Sequence, residues 1–153
     1  MATAQGGITV RIDGLDALQR KLVGARADAP VARFLDRGAL LIQRGAREKA
    51  TVDTGRMRNS IGVESPSLRE RRIGPNVDYA EHVEFGTRPH WPPPGAMSGW
   101  ARRHGMSDYQ ARRSVAMKGT KAQPFMQSAA DEAEGGIRML VPVLASELES
   151  AYQ

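Results

Sequence analysis

Apolar positions change period several times along the chain, and each change predicts a different element. Ile8, Val10 and Ile12 alternate with Thr9, Arg11 and Asp13, the two-residue period of a half-buried strand. Leu15, Leu18 and Leu22 then recur at helical spacing up to Gly24, after a loose small-residue tail at Met1–Gly7. Asp28 and Pro30 open a second helix, where proline in the first turn gives up an N–H that has no partner anyway. Its stripe runs Val31, Phe34, Leu35, Gly38, Leu41, Ile42, Gly45, Ala46 through to Ala50, a rod roughly 30 Å long. Gly38 and Gly45 each cost about 1 kcal/mol of helix propensity. Their place on the apolar stripe predicts that another backbone, expected to be a sheet, comes close there.

Asp53-Thr54-Gly55 reads as a turn, and Met57, Asn59, Ile61 and Val63 alternate after it as a strand. Glu64-Ser65-Pro66-Ser67 reverses the chain, and Leu68–Ile73 returns as a second strand. The arginines there (Arg69, Arg71, Arg72) break the alternation, which predicts an edge position or a bulge. Gly74-Pro75-Asn76 ends the hairpin, and Asp78 stands where it can cap a short helix. In that helix Tyr79, His82 and Val83 share a face for packing, leaving Glu81 and Glu84 for water or a partner, and Gly86 supplies the left-handed stop. Residues 88–100 carry four prolines and read as a rigid arm. Two short helices follow at Ala96–His104 and Ser107–Lys118, the second opened by a capping box of Ser107 and Gln110. Pro124 opens a last helix with an apolar face of Phe125, Ala129, Ala133, Ile137, Leu140, Val141, Leu144 and Leu148. Gly135-Gly136 and Pro142 predict that it is kinked or segmented. The order predicts one α+β domain over residues 1–153, a small antiparallel sheet packed against long helices.

Composition narrows the chemistry. The 153 residues include no cysteine, so disulfides, thiolate nucleophiles and Cys-based zinc sites are excluded. The longest apolar run, Met139–Ala145, holds a proline and falls far short of the roughly 20 residues of a membrane span. The first residues lack a basic-then-apolar leader pattern, so the protein is expected to stay in the cytoplasm where it is made. A net charge of +5 permits a polyanion as a neighbour.

No complete catalytic set is visible. Asp53-Thr54-Gly55 matches the tripeptide of aspartic proteases, where two such loops share a proton, but it follows a long helix and is also ordinary turn chemistry. Glu81, His82 and Glu84 lack the spacing of a helical zinc motif, and His90 and His104 lie in other segments. Arg102-Arg103 and Arg112-Arg113, with Arg69, Arg71, Arg72, Lys118 and Lys121, offer a small basic nucleic-acid-binding protein as the alternative reading, against a solvated charged face.

Three blocks occur in order: Val52-Asp53-Thr54-Gly55-Arg56-Met57-Arg58-Asn59-Ser60-Ile61, then Asn76–Thr87 with its Asp78-Tyr79-Ala80-Glu81-His82-Val83-Glu84-Phe85-Gly86-Thr87, then Gly119–Met126 with its Pro124-Phe125. Together they resemble the tail-completion, or head-to-tail joining, proteins of long-tailed bacteriophages (the gene-product-ten-like family). The resemblance implies a virion structural protein of the neck without enzymatic activity or cofactor. It implies a homo-oligomeric ring, commonly six-fold, between connector or stopper and the tail terminator or tail tube. DNA passes through such a ring without specific binding, and no membrane is involved. The family-motif residues that this assigns to contacts are Asp53, Thr54, Gly55, Asn59, Ser60, Tyr79, Ala80, His82, Val83, Glu84, Phe85, Gly86, Thr87, Pro124 and Phe125.

Overall fold

The computed structural model describes residues 26–153, so the strand expected at Ile8–Ile12, the helix at Leu15–Leu22 and the tail at Met1–Gly7 lie outside the described residues. Elements follow as α1 (Asp28–Lys49), α2 (Arg56–Ser60), β1 (Ile61–Ser67), β2 (Glu70–Pro75), α3 (Ala80–Phe85), α4 (Ser98–Arg103), α5 (Asp108–Lys118) and α6 (Phe125–Tyr152). The α+β expectation holds: helices dominate, and one antiparallel hairpin packs on them.

Two long helices, α1 and α6, make the most extensive contact among the described elements. The glycines explain how. A Cβ on Gly45 would stand 3.3 Å from that of Ala129, and one on Gly38 would stand 3.6 Å from Ile137. The close backbone expected beside these glycines is therefore α6 and not a sheet. Small residues on both partners, Gly45 facing Ala129, let the helices approach. The hairpin packs on another side of α1, joining Ile61 and Ile73 to Ala39, Ile42, Ala46, Met57, Phe125 and Met126 in the main core. A second cluster of Ala27, Phe34, Leu144 and Leu148 closes the other end of the helix pair.

In the hairpin, Ile61 opposes Pro75 and Val63 opposes Ile73, and the register shifts between Glu64 and Ser67. The irregularity foreshadowed by the arginines is present. Arg71 crosses to Asp36 of α1 at 2.6 Å, and Arg69 reaches Asp28 at 2.8 Å, so these side chains clamp the sheet edge to the helix. The strand expected from Met57 begins later. Residues 56–60 form the short helix α2, entered through Gly55 at φ 78°. Met57 and Ile61 are four apart, a spacing that satisfies both a strand face and a helix face. The last helix is not segmented either: α6 runs for 28 residues with Pro142 inside it. Pro142 is exposed, and the burial of Leu144 and Leu148 beyond it holds the rod together.

A clamp of motif residues and the lobe it carries

The central motif is built around a carboxylate. Ala80 and Glu84 are the buried residues of α3, and Glu84 is only 5% exposed. Its two oxygens accept the backbone N–H groups of Met126 and Gln127, each at 2.9 Å. These donors belong to the first turn of α6, which has no side-chain cap of its own. The charge thus sits where the orphan N–H groups and the helix dipole both favour an anion. This corrects the expected facing of α3: Glu84 points inward, whereas Tyr79 and His82 are exposed and Val83 is half-buried. Asp78 does not cap the helix; the residue before its first turn is Tyr79, which makes no side-chain cap bond.

Around Glu84 the chain is pinned at three further points. Gln123 N–H donates to the Val83 carbonyl at 2.8 Å. Thr87 and Thr120 exchange both backbone hydrogen bonds at 3.1 Å, and their hydroxyls lie 3.0 Å apart. Gly86 and Gly119 flank this bridge at φ 68° and 69°. A Cβ on Gly86 would fall 2.5 Å from the Thr120 carbonyl oxygen, and one on Gly119 would collide with the Thr87 carbonyl. Only glycine fits at either place, for conformation and for space.

The first motif block joins the same assembly. Thr51, the residue just before it, hydrogen-bonds Gln123. Thr54 Oγ1 accepts the Arg56 N–H at 3.4 Å, Asn59 N–H donates to the Gly55 carbonyl at 2.9 Å, and the Ser60 hydroxyl donates to the Met57 carbonyl at 2.8 Å. The Ser60 carbonyl accepts from Asn76 N–H at 3.2 Å, which ties the first block to the second. Phe125 enters the main core and Pro124 is exposed immediately before α6. Sequence-distant blocks therefore converge, though mainly to hold one another. The exposed aromatics among them are Tyr79 and Phe85, and Phe85 is 69% exposed.

The Thr87–Thr120 bridge closes the neck of an excursion, residues 88–119, that holds α4 and α5. Its buried residues Pro92, Ala101, Ala111 and Val115 belong to neither hydrophobic cluster of the body. The proline arm is fixed onto α5. Asp108 accepts from the N–H groups of Gly95 at 3.1 Å and Met97 at 3.2 Å and from the Ser98 hydroxyl, and these bonds hold its carboxyl below the usual aspartate value of 3.8. Arg112 donates to the Pro92 carbonyl at 2.8 Å and lies 5.7 Å from the Trp91 ring centre. Trp91 packs tilted on Tyr109, 6.1 Å between centroids. The expected capping box of Ser107 and Gln110 is present.

Asp53 joins this lobe to the body. Arg103 grips its carboxylate with two nitrogens and holds the Asp53 carboxyl below its ordinary value, while Asp53 in turn raises the pKa of the Arg103 guanidinium. The partner of Asp53 is a guanidinium, where a shared-proton mechanism needs a second carboxylate. Sequence reasoning missed this pair, as it missed Asp108 and the role of Glu84, because each partner lies ten or more residues away. Among the described residues no group of three His, Asp or Glu side chains is placed to hold a metal, and no helix is long and apolar enough to cross a membrane. A cleft of about 70 Å³ between α1 and β2 is lined by residues such as Phe34, Leu35 and Ile73. Ligand pockets run to roughly 300 Å³ and more.

These features define a class: a helix-and-hairpin building block whose motif residues lock distant segments and carry a rigid, exposed lobe. Residues 13–86, just under half of the chain, match the family model described as "Bacteriophage HK97-gp10, putative tail-component", and over that segment the chain is similar to that family. The resemblance read from the motif blocks is thereby borne out. A phage tail component resides in the virion and works in contact with other phage structural proteins. No curated protein and no solved structure matches the chain. The matched segment ends at Gly86, on the threshold of the lobe.

Proposed function

We propose that this chain is a ring-forming subunit, six-fold in the simplest case, that completes the tail at the head–tail junction of a long-tailed bacteriophage. In this reading it sits between connector or stopper and the tail terminator or tail tube. DNA passes through the ring without specific contacts, and the protein turns over no substrate. The observation that carries the reading is the clamp. Glu84, the Thr87–Thr120 bridge and two obligatory glycines fix a lobe rich in exposed aromatics at one angle to the body. Rigid presentation of such residues suits a repeated contact between subunits, since pre-organised side chains lose little entropy on docking. A ring also requires two different patches on each subunit, and in this reading the exposed Tyr79 and Phe85 belong to one of them.

The test is native mass of the purified protein, alone and mixed with neighbouring neck and tail proteins, for the natural chain and for Phe85→Asp. The expected result is a closed oligomer, formed alone or on a template, that Phe85→Asp abolishes while its melting temperature is retained. Oligomerisation on a template alone remains consistent, because binding to a partner stabilises the assembled form by mass action. A protein that is monomeric under all these conditions and absent from virions overturns the proposal.

A further inference from the structure

Charge is distributed unevenly between two parts of this molecule. From Arg88 to Gly119 the lobe carries six Lys and Arg residues against one acid, Asp108. Helix α6 carries five acids (Asp131, Glu132, Glu134, Glu147 and Glu149) against one base, Arg138. From Arg26 to Thr87 the two signs nearly balance, at eleven bases and nine acids. Part of each excess is already neutralised: Arg103 by Asp53, Arg112 by Asp108, Glu132 by Lys49 and Glu147 by Arg33 and Arg37. Arg88, Arg102, Arg113 and Lys118 on the lobe, and Asp131 and Glu149 on α6, are exposed and enter no ion pair with a described residue.

Both parts also leave apolar surface in water. On the lobe Trp91 is 56% and Tyr109 61% exposed, and on α6 Met139 is 78% exposed with Val143, one turn further on, open on the same face. The lobe has the composition of an interface core: both tryptophans of the chain, three methionines and five arginines, with one lysine and no glutamate. Its own α6 is out of reach for much of its length. The neck lies beside the first turn of α6, and at 1.5 Å per residue Met139 is about 21 Å and Glu149 about 36 Å further along the rod.

We infer that the lobe of one copy docks on the outer face of α6 in the next copy, Trp91 and Tyr109 meeting Met139 and Val143 while the lobe arginines meet Asp131 and Glu149. Such a contact joins two different patches, the head-to-tail type that closes into a ring. It deepens the ring reading above and rests on it.

The absence of natural cysteine makes the test clean. Ser114→Cys in the lobe and Ala145→Cys on α6, both at exposed positions, are introduced singly and together and oxidised in the assembled protein. Covalent multimers are expected only from the double variant. Arg102→Glu with Arg113→Glu is expected to abolish them, and adding Asp131→Lys with Glu149→Lys to restore them, all with unchanged thermal unfolding. Assembled protein that never cross-links, or whose assembly ignores the lobe charge reversal, overturns this docking and leaves the ring reading standing. Loss without restoration assigns the lobe to a different partner and likewise overturns it. A chain that is monomeric even in the virion removes both.

Discussion

At the scale of single residues, the most consequential side chain is Glu84, a carboxylate that caps a helix beginning 41 residues later in the chain. Hydrogen bonds to a charged group contribute about 1.5–3 kcal/mol each, and an emptied site leaves two buried donors without acceptors. Glu84→Ala should therefore lower stability by about 3–5 kcal/mol, and Glu84→Gln, which keeps one carbonyl acceptor but loses the charge, by about half as much. Urea titration of the three proteins checks the order; equal midpoints would show that the cap contributes nothing. Gly86→Ala belongs to the same scale. The new methyl must stand against the Thr120 carbonyl at a positive φ, so loss of at least about 2 kcal/mol is expected, larger than the usual cost of a surface change. Tyr79→Ala, at an exposed position, should leave the melting temperature nearly unchanged and act on assembly alone. The short helix and its stop at Gly86 were legible in the sequence, but the inward turn of Glu84 was not. Helical spacing gives a stripe with no absolute phase, and a glutamate on the buried stripe reads as a solvent residue until its distant partners are known.

At the scale of elements, the two rods and the hairpin were legible because their patterns are long. Over twenty residues the stripe of α1 excludes a strand, and the arginine-broken alternation of β2 announced its irregular register. Short elements were not so determined. Five residues at Arg56–Ser60 fit either period, and the outcome followed from Gly55, whose positive φ turns the chain into a helix before the strand begins. The lobe is legible as prolines and caps, yet its rigidity depends on Asp108, which gathers backbone donors from the arm. That dependence gives a pH prediction. The folded-state pKa of Asp108 is depressed, first by the Gly95 N–H, then by Ser98, Met97 and Arg112. The stabilisation is therefore present above the ordinary value of 3.8 and is lost as pH falls through the lower folded value. Asp53, depressed by Arg103, loses its tie from lobe to body in the same range. On acidification the fluorescence of Trp91 and Trp100 should change below pH 3.8 before the far-ultraviolet signal of α1 and α6 does. Asp108→Ala should show the altered fluorescence already at neutral pH. Simultaneous loss of both signals would mean that the lobe is not a separately anchored unit.

At the scale of the whole molecule, the question is which partner the positive charge of the lobe serves. The sequence permits a nucleic-acid reading, and the ion pairs weigh against it. Arg69, Arg71 and Arg72 are each held by a carboxylate, and one member of each of the pairs Arg102-Arg103 and Arg112-Arg113 is engaged by an aspartate. That leaves Arg88, Arg102, Arg113 and Lys118 on the lobe to meet phosphates. Release of counterions by four cations corresponds to a slope of about −3.6 in log K against log salt, well below that of a dedicated binder making six to ten contacts. Retention of duplex DNA by the purified protein is thus expected to be detectable at low ionic strength and weaker than about 10⁻⁴ M at physiological salt. Sequence preference should be absent, because specificity needs side chains aimed at base edges from an element that fits a groove. Titration of labelled duplex across a salt series measures the slope directly. A slope near −8 with micromolar affinity at physiological salt would make DNA the lobe's partner. A shallow slope, together with assembly that itself weakens as salt rises, leaves the lobe's charge to a protein surface of opposite sign.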